Sequence, residues 1–398
     1  MPLFQAQTTP AEPLKMNGKT YEKIDPLTSL RFFAALAIVI HHAKGSLLPK
    51  DFLDGIPLDM GVSFFFVLSG FILTHVYRSK QFDFYDFLTS RISRIWPAHL
   101  TAFLILTLLI PSSEWVIGNS NFVLVTISNI FMLQSFIPIP AYYFSYNGPS
   151  WSISTEMAFY LAFPFLLLRS IKDFTQKALL IFSIGLAATL ITWKINPDYY
   201  SFEKFDQFSG HGIAYISPLT RIQEFFFGIL GCYLFSKIKP ALSGQGFICS
   251  LLEAACVAFI AVWLGRAISD GYGYFAQFSI YLGNYYAHLA AGVIFSIFIG
   301  VFYINTGIIS KILSINPLLV LGEISFSLYL LHQILLRFYA QNSSFFSFIP
   351  EEYKFFVYLA FSAICAYLVW RFIESTSRTR LKKLLTPARK VKTPVADT

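Results

Sequence analysis

Charge is scarce along this 398-residue chain: Asp, Glu, Lys and Arg together make up 13% of it, against about a quarter in an ordinary soluble domain. With 55% hydrophobic residues, that shortage excludes a soluble enzyme or a basic nucleic-acid-binding domain. Cysteine is also rare. Cys232, Cys249, Cys256 and Cys365 all sit in apolar stretches without metal-ligand spacing, which excludes a zinc module or a disulfide framework and leaves them as small apolar core residues. Residues 1–28 have no apolar h-region, so no cleavable signal peptide is expected. No internal repeat, second globular domain or low-complexity tract interrupts the pattern.

What fills the chain is a recurring apolar segment, accompanied by 44 Phe and 22 Tyr. The reading is all-α: a polytopic membrane protein. Eleven segments qualify by hydropathy, at roughly 29–45, 60–77, 97–111, 121–139, 150–168, 178–194, 217–236, 246–266, 287–304, 316–337 and 353–372. Charge decides among them. If 121–139 does not fully cross, the connecting pieces 1–28, 78–96, 169–177, 237–245, 305–315 and 374–398 share one side, and they hold most of the 30 Lys and Arg residues. Basic residues collect on the cytoplasmic side near span ends. The expectation is therefore about ten transmembrane helices with both termini cytoplasmic, in the inner (plasma) membrane. Segment 121–139, with two Asn, a Gln and a late Pro, is expected to be re-entrant or tilted and buried in protein, where broken backbone is tolerated. The chain then divides into a cytoplasmic segment 1–28, a membrane domain 29–373 and a basic tail 374–398, expected to lie near anionic headgroups and to be disordered.

The first apolar segment poses the functional question. Arg31 opens it and His42 follows eleven residues later. On a helix that is roughly 16 Å and nearly the same face, with His41 about 100° away. One long thin molecule can therefore touch both, with a phosphate at the arginine and its reactive end at the histidine. Snorkelling of Arg31 to headgroups and an interfacial histidine are the competing account, but an ionisable group inside a span is a functional candidate by default. Further candidates follow. Ser69 and Gly70 allow close helix packing. Arg91 and Arg94, three apart before Pro97 where a helix can restart, either clamp phosphate or orient the chain. Glu156, two turns into its segment, needs a cavity or a partner. Arg221 and Glu224 form either a self-contained pair or a grip on a polar substrate. Glu323, Ser325, Ser327 and Tyr329 lead to His332, read as a structural histidine. His75, His99, His211 and His288 read as interfacial or loop residues.

Taken in order, Arg31 with His42, FFFVLSGF, RISRIWP, WSISTE, RIQEFFFG and LGEISFSLYLLH resemble the acyltransferase-3 family of integral membrane acyltransferases over about residues 25–375. The resemblance implies an acyl donor, acyl-CoA and by habit acetyl-CoA, bound from the cytoplasm. It also implies O-acylation of a hydroxyl on a cell-surface glycan or lipid-linked acceptor. It maps the family's arginine–histidine pair onto Arg31 and His42, its cytoplasmic arginine motif onto Arg91 and Arg94, and its acidic position onto Glu156. His42 and Glu156 are thus the expected catalytic residues, Arg31, Arg91 and Arg94 the donor site, and Arg221 and Glu224 the acceptor contacts, with no metal and no nucleic acid. Phe32 stands where many members have Gly. Glu374 lacks the proline two residues on, and an appended esterase-like domain is not expected. A proton-coupled transporter or flippase is the alternative that the buried Arg, Glu and His residues leave open.

Overall fold

The computed structural model describes residues 14–16, 19–21, 24–78, 82–168, 171–200 and 204–385. After a two-stranded ladder (Leu14–Met16 with Lys19–Tyr21) the chain is helical: α1 Asp25–Ala43, α2 Gly61–Tyr77, α3 Phe84–Leu109, α4 Phe122–Ile130, α5 Pro140–Tyr143, α6 Trp151–Leu166, α7 Ile171–Ile195, α8 Pro218–Leu242, α9 Gly246–Ala276, α10 Ile280–Ile304, α11 Ile308–Leu313, α12 Asn316–Gln341, α13 Glu351–Val369 and α14 Ser375–Leu385. Among the described residues nine helical stretches are long and apolar enough to cross a bilayer. The chain is a multi-pass membrane protein.

Helix α6 is the tenth expected crossing. Its 16 residues rise only about 24 Å, less than a hydrocarbon core of about 30 Å. Yet it runs from the level of Tyr329 to the arginines. Near its start Ser152 meets Tyr329 at 2.7 Å; about two turns on, toward a second end of the bundle, Tyr160 lies beneath the Arg91 guanidinium. The starts of α1, α3 and α12 and the end of α13 gather at that second end, here the arginine end. The opposite end carries His42 and His332.

Segment 121–139 does not cross. Helix α4 has nine residues, about 13 Å of rise, and breaks at Met132, which takes a left-handed φ of 57°. It dips from the histidine end to the middle of α3 and returns. Trp96 Nε1 donates to the carbonyl of Ile130 (3.1 Å) and His99 Nε2 bonds that of Asn129 (2.8 Å). Ser154 Oγ donates to the carbonyl of Met132 (2.6 Å). These side chains supply the partners that a broken helix loses in lipid. Where burial in protein was expected, one face is open: Phe122, Val123, Leu124 and Phe131 are exposed. Apolar side chains tolerate lipid; only the backbone had to be paired.

Two other differences follow from packing. Helix α3 begins at Phe84, capped by Asp83, whose side chain accepts from Asp86 N at 2.9 Å. It runs through Pro97, which therefore does not restart a helix, and Thr101 Oγ1 donates to the Pro97 carbonyl. The tail expected to be disordered from 374 starts as α14, packed on α3 with Tyr85 donating to the Leu385 carbonyl at 2.6 Å; residues 386–398 lie outside the described residues.

Hydrophobicity cannot hold helices together in lipid, so close approach does. Helix α2 seats against α8 through Gly70 and Gly228. Helix α10 sets Gly292 and Gly300 against Phe227 and Phe235 of α8. One buried cluster joins α9 and α10 to the start of α1, to α2 and to α8; the other joins α3, α6 and α12 to the end of α1, to α2 and to α8.

Candidate active site

Four of the seven expected site residues line one cavity. Arg31 of α1, Arg91 and Arg94 of α3 and Glu156 of α6 enclose a space of about 220 Å³, together with Ser69 of α2, Tyr160, Glu323 and Tyr329. The three guanidiniums stand at its arginine end. Arg91 is buried, its guanidinium carbon 6.0 Å from the Tyr160 ring centre, and its Nε has no hydrogen-bond partner. Glu323 and Glu374 stand within electrostatic reach of Arg31 and Arg94, and Ser327 Oγ donates to Glu374 Oε2 at 3.1 Å. The three guanidiniums thus share the mouth with Glu323 and Glu374, and with Glu156 deeper in; forked guanidiniums match phosphate oxygens.

Deeper in, the carboxylate of Glu156 is held by two hydroxyls. Ser69 Oγ (2.7 Å) and Tyr160 OH (2.6 Å) both donate to its Oε1. Tyr160 lies one turn beyond Glu156, an i,i+4 spacing legible in the sequence. Ser69 reads in sequence as a packing residue; in the structure the glycine beside it does the packing.

His42 does not line this cavity. Gly61, beside the lining residue Val62, packs on Ala34 and Ile38 of α1. The cavity therefore ends level with the middle of α1, a turn or more below His42. There His42 Nδ1 meets Nε2 of His332 at 3.0 Å, with ring centres 5.0 Å apart. The exposed His41 ring is edge-on to His42 at 5.3 Å. His332 is fully buried, and its Nδ1 lies 2.6 Å from the carbonyl of Tyr329. Tyr329 lines the cavity with its side chain and holds His332 with its backbone, so the two parts of the site meet at this residue.

Arg221 and Glu224 lie elsewhere, sealed between α8, α2 and α10 with side chains 1% and 0% exposed. Arg221 Nε donates to Glu224 Oε2 (2.6 Å), and its terminal nitrogens donate to His288 Nε2 (2.8 Å), the Tyr215 carbonyl (3.3 Å) and Ser63 Oγ (3.2 Å). Phe66, Trp151 and Tyr215 cover its planar face. His288, read from sequence as interfacial, is fully buried here. Among the described residues no group of three or more His, Cys, Asp or Glu side chains is placed to hold a metal ion.

Compared with known proteins, residues 25–371 match the family model for an acyltransferase domain. The chain is 34% identical to Acyltransferase MdmB of Streptomyces mycarofaciens over 177 residues, which cover 42% of this chain and 45% of that protein. It is 27% identical to O-acetyltransferase OatA of Staphylococcus aureus over 375 residues, covering 89% of this chain and 57% of that one. The chain spans about half the length of these curated relatives. No solved structure matches it.

Proposed function

The chain belongs to the acyltransferase-3 family, and on that premise we propose that it moves an acyl group, acetyl first, from cytoplasmic acyl-CoA to a hydroxyl of a cell-surface glycan or lipid-linked acceptor. The arginine end is then the cytoplasmic face of the inner membrane. The observation that carries this reading is the convergence of Arg31, Arg91, Arg94 and Glu156 on one cavity, on a helix that brings His42 eleven residues beyond Arg31.

In this scheme the three arginines hold the phosphates of CoA. The pantetheine arm runs up the cavity past Tyr329, and it covers the roughly 16 Å between Arg31 and His42 only when the wall where Gly61 meets Ala34 and Ile38 opens. Neutral His42 takes the proton of the acceptor hydroxyl as general base. The acceptor O–H bond breaks as the oxygen–acyl bond forms, the C–S bond of the thioester breaks, and the departing thiolate takes the proton back from the imidazole. Attack by the imidazole itself, giving an acyl-histidine, uses the same geometry. Glu156 sits beside the path, held by Ser69 and Tyr160, where its carboxyl oxygens orient polar groups of donor or acceptor. Arg221 and Glu224 enter as the frame of the acceptor end: sealed as they are, an acceptor touches them only if Trp151 and Tyr215 move.

The test is turnover of labelled acetyl-CoA by the purified, reconstituted protein, with the labelled glycan fraction compared between parent and deletion strains to name the acceptor. His42→Ala is expected to abolish transfer and leave CoA binding nearly intact. Wild-type turnover by His42→Ala ends the assignment. Label trapped on His42 in a single turnover excludes direct transfer.

A further inference from the structure

We propose that His332 is a positioning residue for His42: a hydrogen-bonded line from the Tyr329 carbonyl through both imidazoles fixes which nitrogen of His42 is basic. The inference rests on the acyl-transfer reading above and adds a second histidine to it, 290 residues away in sequence.

A carbonyl oxygen only accepts, so the 2.6 Å contact from Tyr329 O to His332 Nδ1 places a hydrogen on that nitrogen. A neutral imidazole carries one N–H, so its other nitrogen is an acceptor. His332 Nε2 is that acceptor, and its partner at 3.0 Å is Nδ1 of His42. Nδ1 of His42 therefore carries its hydrogen, and Nε2 of His42 keeps the lone pair. In this way the hydrogen bond at one ring nitrogen sets the chemistry at the other. When Nε2 takes the acceptor's proton, the ring that forms keeps its Nδ1–H donor on the neutral His332 Nε2, so its orientation is held through the step.

The line is anchored from outside as well. Tyr358 OH of α13 donates to the His332 carbonyl at 2.8 Å. Asn147 Nδ2 donates to the Leu330 carbonyl at 2.8 Å. Tyr329 OH donates to the Pro149 carbonyl at 2.9 Å. Three successive features of one helical turn are thus tied to α13 and to the loop before α6, so His332 presents its Nε2 to α1 from a rigid mount.

The experiment has three arms on the full-length protein. The first is ¹⁵N-histidine NMR of the wild type, with the His42 signals assigned by their loss in His42→Ala. The expected result is the Nδ1-protonated tautomer at His42; the Nε2-protonated tautomer overturns the proposal without any activity measurement. The second is His332→Leu, expected to lower kcat on the order of 10²-fold while the KM for acetyl-CoA stays within about twofold. The third is His332→Gln, whose amide oxygen restores an acceptor near the lost Nε2 and is expected to recover at least about tenfold of that kcat. A purely structural role predicts equal losses in the two variants, and that result, or wild-type kcat in His332→Leu, overturns the proposal. A dead His42→Ala beside a fully active His332→Leu removes the relay alone, whereas an active His42→Ala removes the acyl-transfer assignment beneath it.

Discussion

Gly70 and Gly228 are reciprocal: a Cβ added at Gly70 would stand 2.0 Å from the carbonyl oxygen of Phe225, and one added at Gly228 2.0 Å from that of Val67. Each glycine lies three residues after the carbonyl that the other would strike. Because Ser69 precedes Gly70 and reaches Glu156, this crossing sets the depth of one cavity wall. Gly70→Ala and Gly228→Ala are each expected to cost about 1–3 kcal/mol through overpacking. The double variant should cost less than the sum, since one separation of the helices relieves both contacts. Thermal unfolding in detergent measures this; strict additivity would mean the two sites do not share a crossing.

Glu156→Gln keeps an oxygen that Ser69 and Tyr160 can donate to, but removes the charge. The expected outcome is a folded protein with kcat lowered by at least about tenfold. Glu156→Ala, which leaves two hydroxyls without their acceptor, should in addition lose about 1–3 kcal/mol of stability. Equal turnover by Glu156→Gln and wild type would take Glu156 out of the chemistry.

Arg31→Ala is expected to raise the KM for acetyl-CoA by about 10–100-fold, the loss of one or two charge-assisted hydrogen bonds, with kcat little changed. Arg94→Ala should behave alike. Steady-state kinetics over a range of donor concentration separates the two parameters; a fall in kcat at unchanged KM would move these arginines from donor binding to catalysis.

The Arg221–Glu224 pair behaves differently because water reaches neither side chain. Arg221→Met or Glu224→Gln is expected to cost about 3–5 kcal/mol, since the remaining partner is stranded. Arg221→Met with Glu224→Met should be less damaging than either single change. Melting curves of the three variants decide, and a Glu224→Gln protein as stable as wild type would show that the ion pair holds nothing.

The contacts also order the loops. Asn119 N donates to Asp206 Oδ2 at 2.7 Å and Ser120 Oγ bonds Oδ1 at 2.5 Å, so residues 112–120 and 204–208 share a face. In a cysteine-free background, Ser112→Cys, Gln207→Cys and Asp51→Cys should react with a membrane-impermeant maleimide from the same side. Labelling of Ser112→Cys and Gln207→Cys from opposite sides would make 121–139 a full crossing after all.

Much of the architecture was legible because the cost of a charge in lipid is local in sequence. Arg31, Arg91 and Arg94 announced their shared end from hydropathy together with the distribution of Lys and Arg, and the polar Asn129 and Gln134 suited a segment, 121–139, that does not span. What stayed hidden was every relation between distant helices. The spacing of Arg31 and His42 gave their separation but not the fact that the cavity stops short of the histidine, which depends on how Gly61 meets Ala34 and Ile38. Likewise His288 and Arg221, or His332 and His42, are neighbours only once α10 and α12 are docked, and no periodicity encodes that. Glu323 reads in sequence as one polar residue among several; its place in the wall comes with the docking of α12 on α1, where Gly322 meets the Thr28 carbonyl.

Helix α12 carries Glu323 and Tyr329 in the cavity wall and His332 one turn beyond, nine residues without a break. Over so short a rod, about 13 Å, the cavity wall and the imidazole pair keep one fixed spacing, because the ties from Tyr358 and Asn147 hold the far turn in place.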